Sequence, residues 1–335
     1  MRAHNGGLIQ RITRPLPSAA VAAIGAVGGA YIAYSVYNKY KKNKLPEEWT
    51  QVGTLKELYV YPIKSCGPVT LDRVECSLMG VKKGWLRDRV LMVVDAKYNF
   101  ITARAYPELL GVETSVKSSV LTMKYKNMEP LHVNLAEVKP KTATVWSIEV
   151  PVFDCGLEAS EWFTTVLARP GATYRLVYYA ANNSRKLINS LKLYKFQEQD
   201  TGAFPDETSY NLINEVSIQE LNTRLKTSTA TVQNYRPNFV VAGGQPYAED
   251  SWKFVKIGDN VFEIIKPCTR CLLTTIDPET GVRNMEALET LKRYRQIENE
   301  KLRKAAGNSP RLGLQMALRS SPGGLISVND PVYYA

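Results

Sequence analysis

Residues 261–277, VFEIIKPCTRCLLTTID, place two thiols in the break between two apolar, β-branched runs. The runs at 261–265 and 272–276 read as strands, and Pro267, which cannot donate to a ladder, ends the first of them. A fold containing this stretch must present Cys268 and Cys271 at or beside a strand-to-strand turn. Lys266 and Arg270 lie close by, and positive charge favours the thiolate, the form that attacks or binds a soft metal.

Four readings of such a site stand open. A structural zinc site needs four ligands, and the chain offers one C-x-x-C, the separate Cys66, Cys76 and Cys155, and only His4 and His132. A thioredoxin-like dithiol wants its pair at the start of a helix, whereas Cys271 leads into a run that fits a strand. Two ordinary cysteines at a sheet turn are the plainest reading. The fourth is one thiolate as the sole protein ligand of a cofactor-borne metal, with the cations holding an anionic cofactor.

The net charge of +11 is uneven. Residues 1–46 carry seven Lys and Arg and no acid, so only +4 belongs to the remaining chain. That weakens a nucleic-acid reading of the body. Five cysteines without an evident pairing pattern in 335 residues fit a reducing compartment.

Residues 18–37, SAAVAAIGAVGGAYIAYSVY, are 20 residues without a charge. As a helix they would span about 30 Å of hydrocarbon. Tyr31, Tyr34 and Tyr37 sit where interfacial aromatics belong, and Lys39, Lys41, Lys42 and Lys44 follow. The positive-inside rule then leaves the C-terminal bulk in the cytosol. A cleaved, basic, Ala-rich transit peptide is the competing reading.

Beyond residue 50 the chain reads as many short strands, at 54–63, 90–94, 112–123, 142–145, 148–153 and 174–179. A helix is expected over 157–167 and a long polar connection or boundary over 181–205. Ser217 with Glu220 reads as a capping box opening a helix. Strands return at 239–241 and 254–257, a charged helix at 285–305, and closing strands at 312–318 and 325–334. The fold class is α+β and β-rich, with barrel or mixed architecture and no doubly wound sheet. His132, on a strand, reads as structural.

Several breaks between strands carry cations or hydroxyls: Lys64 and Ser65, Arg87 to Arg89, Thr208 and Ser209, and Arg236 with Asn238. Converging on one anion, they would make charge-assisted bonds to phosphate. Each alone is more often a solvated or ion-paired edge residue. No G-x-G-x-x-G after a strand, no G-x-x-x-x-G-K-[ST] and no H-E-x-x-H occurs.

The segments Y-P-I-K-S-C (residues 61–66), L-R-D-R (86–89), N-Y-R-P-N (234–238), Y-A-E-D-S-W (247–252) and C-T-R-C-L-L-T-T-I-D-P-E-T-G (268–281) together resemble the mitochondrial amidoxime-reducing components. These are MOSC-domain molybdenum enzymes. The resemblance implies a targeting segment, transmembrane anchor and linker over 1–50, a MOSC N-terminal β-rich domain over 51–180, and a MOSC β-barrel domain over 181–335. It implies a molybdenum cofactor (Mo-molybdopterin) ligated by Cys271 and contacted by Lys64, Ser65, Arg89, Thr208, Ser209, Arg236, Asn238, Thr269 and Arg270. Thr269 stands where several relatives have Ser, and the role of Cys268 stays open.

The implied activity is reduction of N-hydroxylated compounds, amidoximes, hydroxylamines and N-oxides. Electrons would come from NADH through cytochrome b5 reductase and cytochrome b5, at the mitochondrial outer membrane with the catalytic part facing the cytosol. Two other expectations remain: a molybdenum-cofactor carrier or sulfur-transfer module, and a thiol-redox protein using Cys268 and Cys271 as a pair.

Overall fold

The computed structural model describes residues 45–185, 187, 194 and 196–335. The expected anchor over residues 18–37 lies outside the described residues, and among those described no helix is long and apolar enough to cross a membrane.

Seven strands close into a barrel. We number them β1 (Thr50–Val60), β2 (Tyr210–Asn214), β3 (Phe239–Ala242), β4 (Phe254–Ile257), β5 (Asn260–Thr269), β6 (Arg311–Leu318) and β7 (Pro331–Tyr334). Neighbours run β3-β2-β6-β5-β4-β7-β1, and β1 returns to pair with β3, Leu58 opposite Phe239, so no edge is left among these strands. The first described strand is thus a stave of a barrel otherwise built after residue 209. Only β2 and β3 run parallel, joined through two helices, α2 (Glu215–Asn222) and α3 (Val232–Tyr235).

Side chains alternate as the strand period of two requires. Leu55, Leu58, Tyr210, Leu212, Phe239, Val241, Phe262, Leu314 and Met316 fill the interior. Ile213 and Val240, each one residue out of phase, instead pack outward with Ile218 and Leu221 of α2 and Leu291 of a helix at Glu286–Tyr294. Tyr210, Phe239 and Phe262 form an aromatic triangle with centroids 4.9–5.7 Å apart.

The chain between β1 and β2 builds a second core. It includes a four-stranded antiparallel sheet in the order Lys139–Val145, Ile148–Asp154, Tyr174–Tyr179, Leu91–Asp95, a three-stranded meander (Glu113–Lys117, Val120–Lys124, Leu131–Asn134), and helix α1 (Leu157–Leu167). Phe163, Leu167, Val93 and Leu176 are fully buried there, and Leu273 and Ile276 join them from far along the chain. His132 sits on the meander with Nδ1 2.9 Å from the Thr122 hydroxyl.

Several local expectations are corrected. Residues 112–123 form a hairpin rather than one strand, because Ser118 turns at φ 53°. The charged helix divides into Glu286–Tyr294 and Glu300–Ala306, and 325–334 into Leu325–Ser327 and β7. Ser217 is not an N-cap. Asn214 caps α2 by accepting from the Val216 amide at 3.2 Å, which leaves the Ser217 hydroxyl to donate to buried Glu249. Pro267 does not end its strand. β5 continues through it to Thr269, with register shifts on both sides of Pro267 absorbing the missing donor.

Phe262 is fully buried between two other rings. Phe262→Ala should cost about 3–5 kcal/mol, read as a lowered midpoint in urea titration. Glu249 is raised by burial to about 7. The folded state therefore holds its proton between about pH 4.5 and 7, where the unfolded chain releases it, so this group lowers stability as pH rises across that window. Glu249→Gln should gain stability relative to wild type between pH 5 and pH 8, measured by the same titration.

Candidate functional site

The turn that follows β1, the start of β3 and the end of β5 open onto one cleft of about 350 Å³. Of the ten residues expected from sequence, nine line it: Lys64, Ser65, Arg89, Thr208, Arg236, Asn238, Thr269, Arg270 and Cys271. Ser209 does not. It is buried, and its hydroxyl donates to the Leu78 carbonyl at 2.9 Å.

Cys271 is the exposed thiol among the described cysteines; Cys66, Cys76 and Cys268 are buried and Cys155 half-buried. Burial pushes the Cys66 thiol up to about 12 and raises Cys76 and Cys155 as well, which keeps all three protonated. The expected strand after Cys271 is instead a 3-10 turn, Leu272–Thr275. It forms because Cys271 has extended backbone while its carbonyl accepts from the Thr274 amide and hydroxyl, at 3.0 and 2.9 Å. Leu273 and Ile276 then face the core of the first half of the chain, and the sulfur is left at the cleft.

The nearby cations are not all available to a ligand. The Lys266 ammonium is paired with Glu207. Arg270 donates to the carbonyls of Leu312 at 2.7 Å and Tyr235 at 3.0 Å, and reaches Asn211 Oδ1 at 3.5 Å. It thereby ties the end of β5 to β6, α3 and β2. Gly313, at φ 76°, makes room for it, since a Cβ there would lie 2.5 Å from the Leu212 carbonyl and 3.1 Å from the guanidinium. Asn238 is similarly committed, donating to the Tyr59 carbonyl at 3.2 Å and Asp88 at 3.0 Å.

Arg236 differs. It is 8% exposed, its guanidinium lies 4.2 Å from the Tyr61 ring, and one terminal nitrogen has no hydrogen-bond partner. Burial lowers it to about 10, with Tyr61 opposing and Arg89 assisting. Arg89, 4.6 Å from the same ring, is anchored to Asp88 at 2.5 Å and to the Arg236 carbonyl at 3.0 Å. A buried donor without an acceptor is costly. An anion in this cleft would relieve that cost. The hydroxyls of Ser65 and Thr269 line the same cleft without a side-chain partner among the described residues. Ser65, Arg89 and Arg236 all have positive φ, at 70°, 49° and 53°. Such conformations in non-glycine residues cost free energy and concentrate at functional sites.

Lys64 is buried, donating to the Phe204 carbonyl at 2.8 Å and pairing with Asp206. Burial lowers its ammonium from the ordinary value, Asp206 opposing. Among the described residues no group of three or more His, Cys, Asp or Glu is placed to hold a metal, which argues against a structural zinc cage built from them.

Sequence reasoning missed Thr102, Arg104, Trp146, Asp206, Asn211 and Gln315, which also line the cleft. Gln315 sits opposite Lys266 on β6, and its amide donates to Cys268 Sγ at 3.2 Å while accepting from Thr208. The neighbours Asp206 and Glu207, which answer Lys64 and Lys266, were the one legible signal, as acids beside Thr208.

Partial desolvation alone would raise Asp206, whose side chain is 46% exposed, but Lys64 dominates and holds it at about 2. Between its ordinary 3.8 and 2 the unfolded chain binds the proton that the folded chain does not, so stability falls as pH drops through this window. Asp206→Asn should flatten that part of the profile relative to wild type, measured by urea titration at steps from pH 4.5 to 2.

Comparison with known proteins gives the family. The MOSC N-terminal beta barrel domain matches residues 52–170 and the MOSC domain matches residues 199–333. The chain is 36% identical over 290 residues to the human mitochondrial amidoxime-reducing component 1, covering 84% of this chain and 83% of that protein. It is 33% identical to the Xenopus laevis protein of the same name, over 86% and 83% of the two chains. The zebrafish (Danio rerio) protein is 34% identical over 86% of each. A cleft with one accessible thiol and an unsatisfied guanidinium, in a chain matched along most of its length by these relatives, identifies it as a member of the MOSC-domain family of mitochondrial amidoxime-reducing components.

Proposed function

We propose that this chain is a molybdenum-cofactor-dependent reductase of N-hydroxylated compounds, located at mitochondria. The observation that carries the proposal is the pairing, in one cleft, of the exposed Cys271 sulfur with polar atoms that have no protein partner: the terminal nitrogen of Arg236 and the hydroxyls of Ser65 and Thr269. A soft thiolate suits a soft metal and, as a single protein ligand, leaves other positions open. The names of its relatives, amidoxime-reducing components of mitochondria, point the same way.

The residues present fit the cofactor. Cys271 would hold the metal. Arg236, Ser65 and Thr269 would accept its anionic tail, with Lys64 and Arg89 adding positive charge. Asn238 would act as a positioning residue, since both its amide N–H groups are taken by protein oxygens, and Arg270, partly engaged by the protein, would fix the end of β5 while adding positive charge to the cleft it lines. Thr208 holds Gln315 and Cys268 in place. Bound there, the cofactor supplies a two-electron centre at which amidoxime, two electrons and two protons give amidine and water.

We assign the electrons to NADH by way of cytochrome b5 reductase and cytochrome b5. An acidic haem protein would be steered by the positive balance of the body. Retention of residues 1–50 as an outer-membrane anchor would confine the partners to one plane and raise their effective concentration.

Wild-type full chain, made in a host that supplies the cofactor, should carry about one molybdenum per chain and reduce benzamidoxime when both electron-transfer proteins and NADH are present. Cys271→Ala should lose the metal and reduce turnover at least a hundredfold, a loss of about 2.7 kcal/mol of transition-state stabilisation. Metal content by mass spectrometry and amidine by chromatography are the readouts. Full metal and turnover in that variant would remove Cys271 as ligand. Full metal without turnover in wild type would favour the carrier reading.

A further inference from the structure

On the side of the cleft formed by the first half of the chain stands a tryptophan in an unusual place. Trp146 and Ser147 are the two loop residues of a hairpin between Lys139–Val145 and Ile148–Asp154, both with positive φ, at 49° and 62°. Two-residue loops of this kind favour Asn-Gly, and a tryptophan there is strained. The tip is nonetheless held firmly. Backbone bonds join Thr144 to Tyr98 and Phe100, and the indole lies 4.9 Å from the Phe100 ring. Its Nε1 donates to Asp206 at 3.2 Å, the acid that also holds Lys64. The side chain remains 37% exposed and lines the cleft.

Arg104 covers this indole, its guanidinium carbon 5.2 Å from the ring centroid. Among the described residues its side chain donates to one other side chain, the Thr102 hydroxyl at 3.4 Å. Lys64, Lys266 and Arg89 each touch a carboxylate, whereas among the described residues Arg104 has no carboxylate within salt-bridge distance and feels Asp206 only at longer range. The carbonyl of Arg104 accepts from Arg283, so the segment bearing it is tied to the chain that follows the Cys271 turn.

A rigid aromatic face capped by a cation, at a lip where Lys64 and Arg104 together outnumber the one carboxylate of Asp206, has defined chemical preferences. It attracts flat, π-rich, uncharged groups and repels cations. We propose that Trp146 and Arg104 form the specificity-determining lip of the cleft, selecting aryl N-hydroxylated substrates in their neutral form and disfavouring the cationic product. This rests on the reductase reading given above. An amidoxime is neutral near pH 7, whereas the amidine left after loss of the oxygen takes up a further proton and becomes a cation. The lip therefore binds the reactant better than the product and assists release.

Calorimetric binding on the full chain tests this without turnover, using benzamidoxime, acetamidoxime and benzamidine, with molybdenum content measured on every sample. Trp146→Ala should weaken benzamidoxime about fivefold to tenfold and leave acetamidoxime within twofold, with metal retained. Trp146→Phe, which keeps an aromatic face, should recover most of that affinity and guards against a folding artefact. Arg104→Gln should tighten benzamidine at least threefold while changing benzamidoxime less than twofold. Equal weakening of the aryl and alkyl probes in Trp146→Ala, or loss of metal there, overturns the proposal, as does unchanged benzamidine binding in Arg104→Gln. The expected binding pattern in a protein that holds molybdenum but never turns over benzamidoxime would support the lip and refute the reductase reading.

Discussion

One buried carboxylate holds the cleft in shape. Asp88 is 2% exposed and accepts from the Tyr61 amide at 2.9 Å, the Asn238 side chain at 3.0 Å and the Arg89 guanidinium at 2.5 Å. Those donors come from the end of β1, the start of β3 and the turn before the second core. A charge taken out of water is tolerable only when its lone pairs are so satisfied. Removing Asp88 would free the three segments that carry Lys64, Arg236 and Arg89.

The same carboxylate explains why the cations can gather. Arg89 and Arg236 lie 4.6 and 4.2 Å from the Tyr61 ring, close enough to repel one another where little water screens them. Asp88 neutralises one and the π face of Tyr61 stabilises both. Arg236 keeps a free donor nonetheless, and the left-handed backbone at Ser65, Arg89 and Arg236 adds further cost. Barrel closure and two packed cores supply the stability that offsets these local costs, so a site shaped for an anion persists before the anion arrives.

Much of this was legible in the sequence because the chemistry-bearing residues sit at breaks in strand pattern, where Pro, Gly and donors interrupt apolar alternation. Lys64, Ser65, Arg89, Arg236 and Cys271 stood out for that reason, and the β-rich class followed from the number of short strands. What escaped is what only tertiary contact decides. Residues 272–276 carry a strand-like composition, yet Leu273 and Ile276 bury on the other core and the segment coils into a 3-10 turn. Ser217 and Glu220 match a capping box, yet Asn214 sits at the true helix start. Trp146 gave no signal, since its position at a hairpin tip depends on pairing between two weakly patterned strands. Arg270 stood out from its place between two cysteines, but its bonds to the carbonyls of Leu312 and Tyr235, which tie the cysteine turn to β6 and α3, depend on tertiary contact alone.

The contact between the two cores also bears on how the thiol is controlled. Cys271 belongs to the chain leaving β5, a barrel strand, but the turn it begins is seated by Leu273 and Ile276 in the core built from the first half of the chain. Arg283, further on, bonds to the carbonyl of Arg104 in that same half. The sulfur is therefore positioned by both cores at once. A large-to-small change at Ile276, 1% exposed and distant in sequence from the strands it packs against, would act on the site although Ile276 does not itself line the cleft. Close packing transmits such a shift to the Cys271 backbone, because Thr274 is bonded to its carbonyl. Placement of the thiol is in this sense a property of the seam between the cores as much as of the cysteine turn.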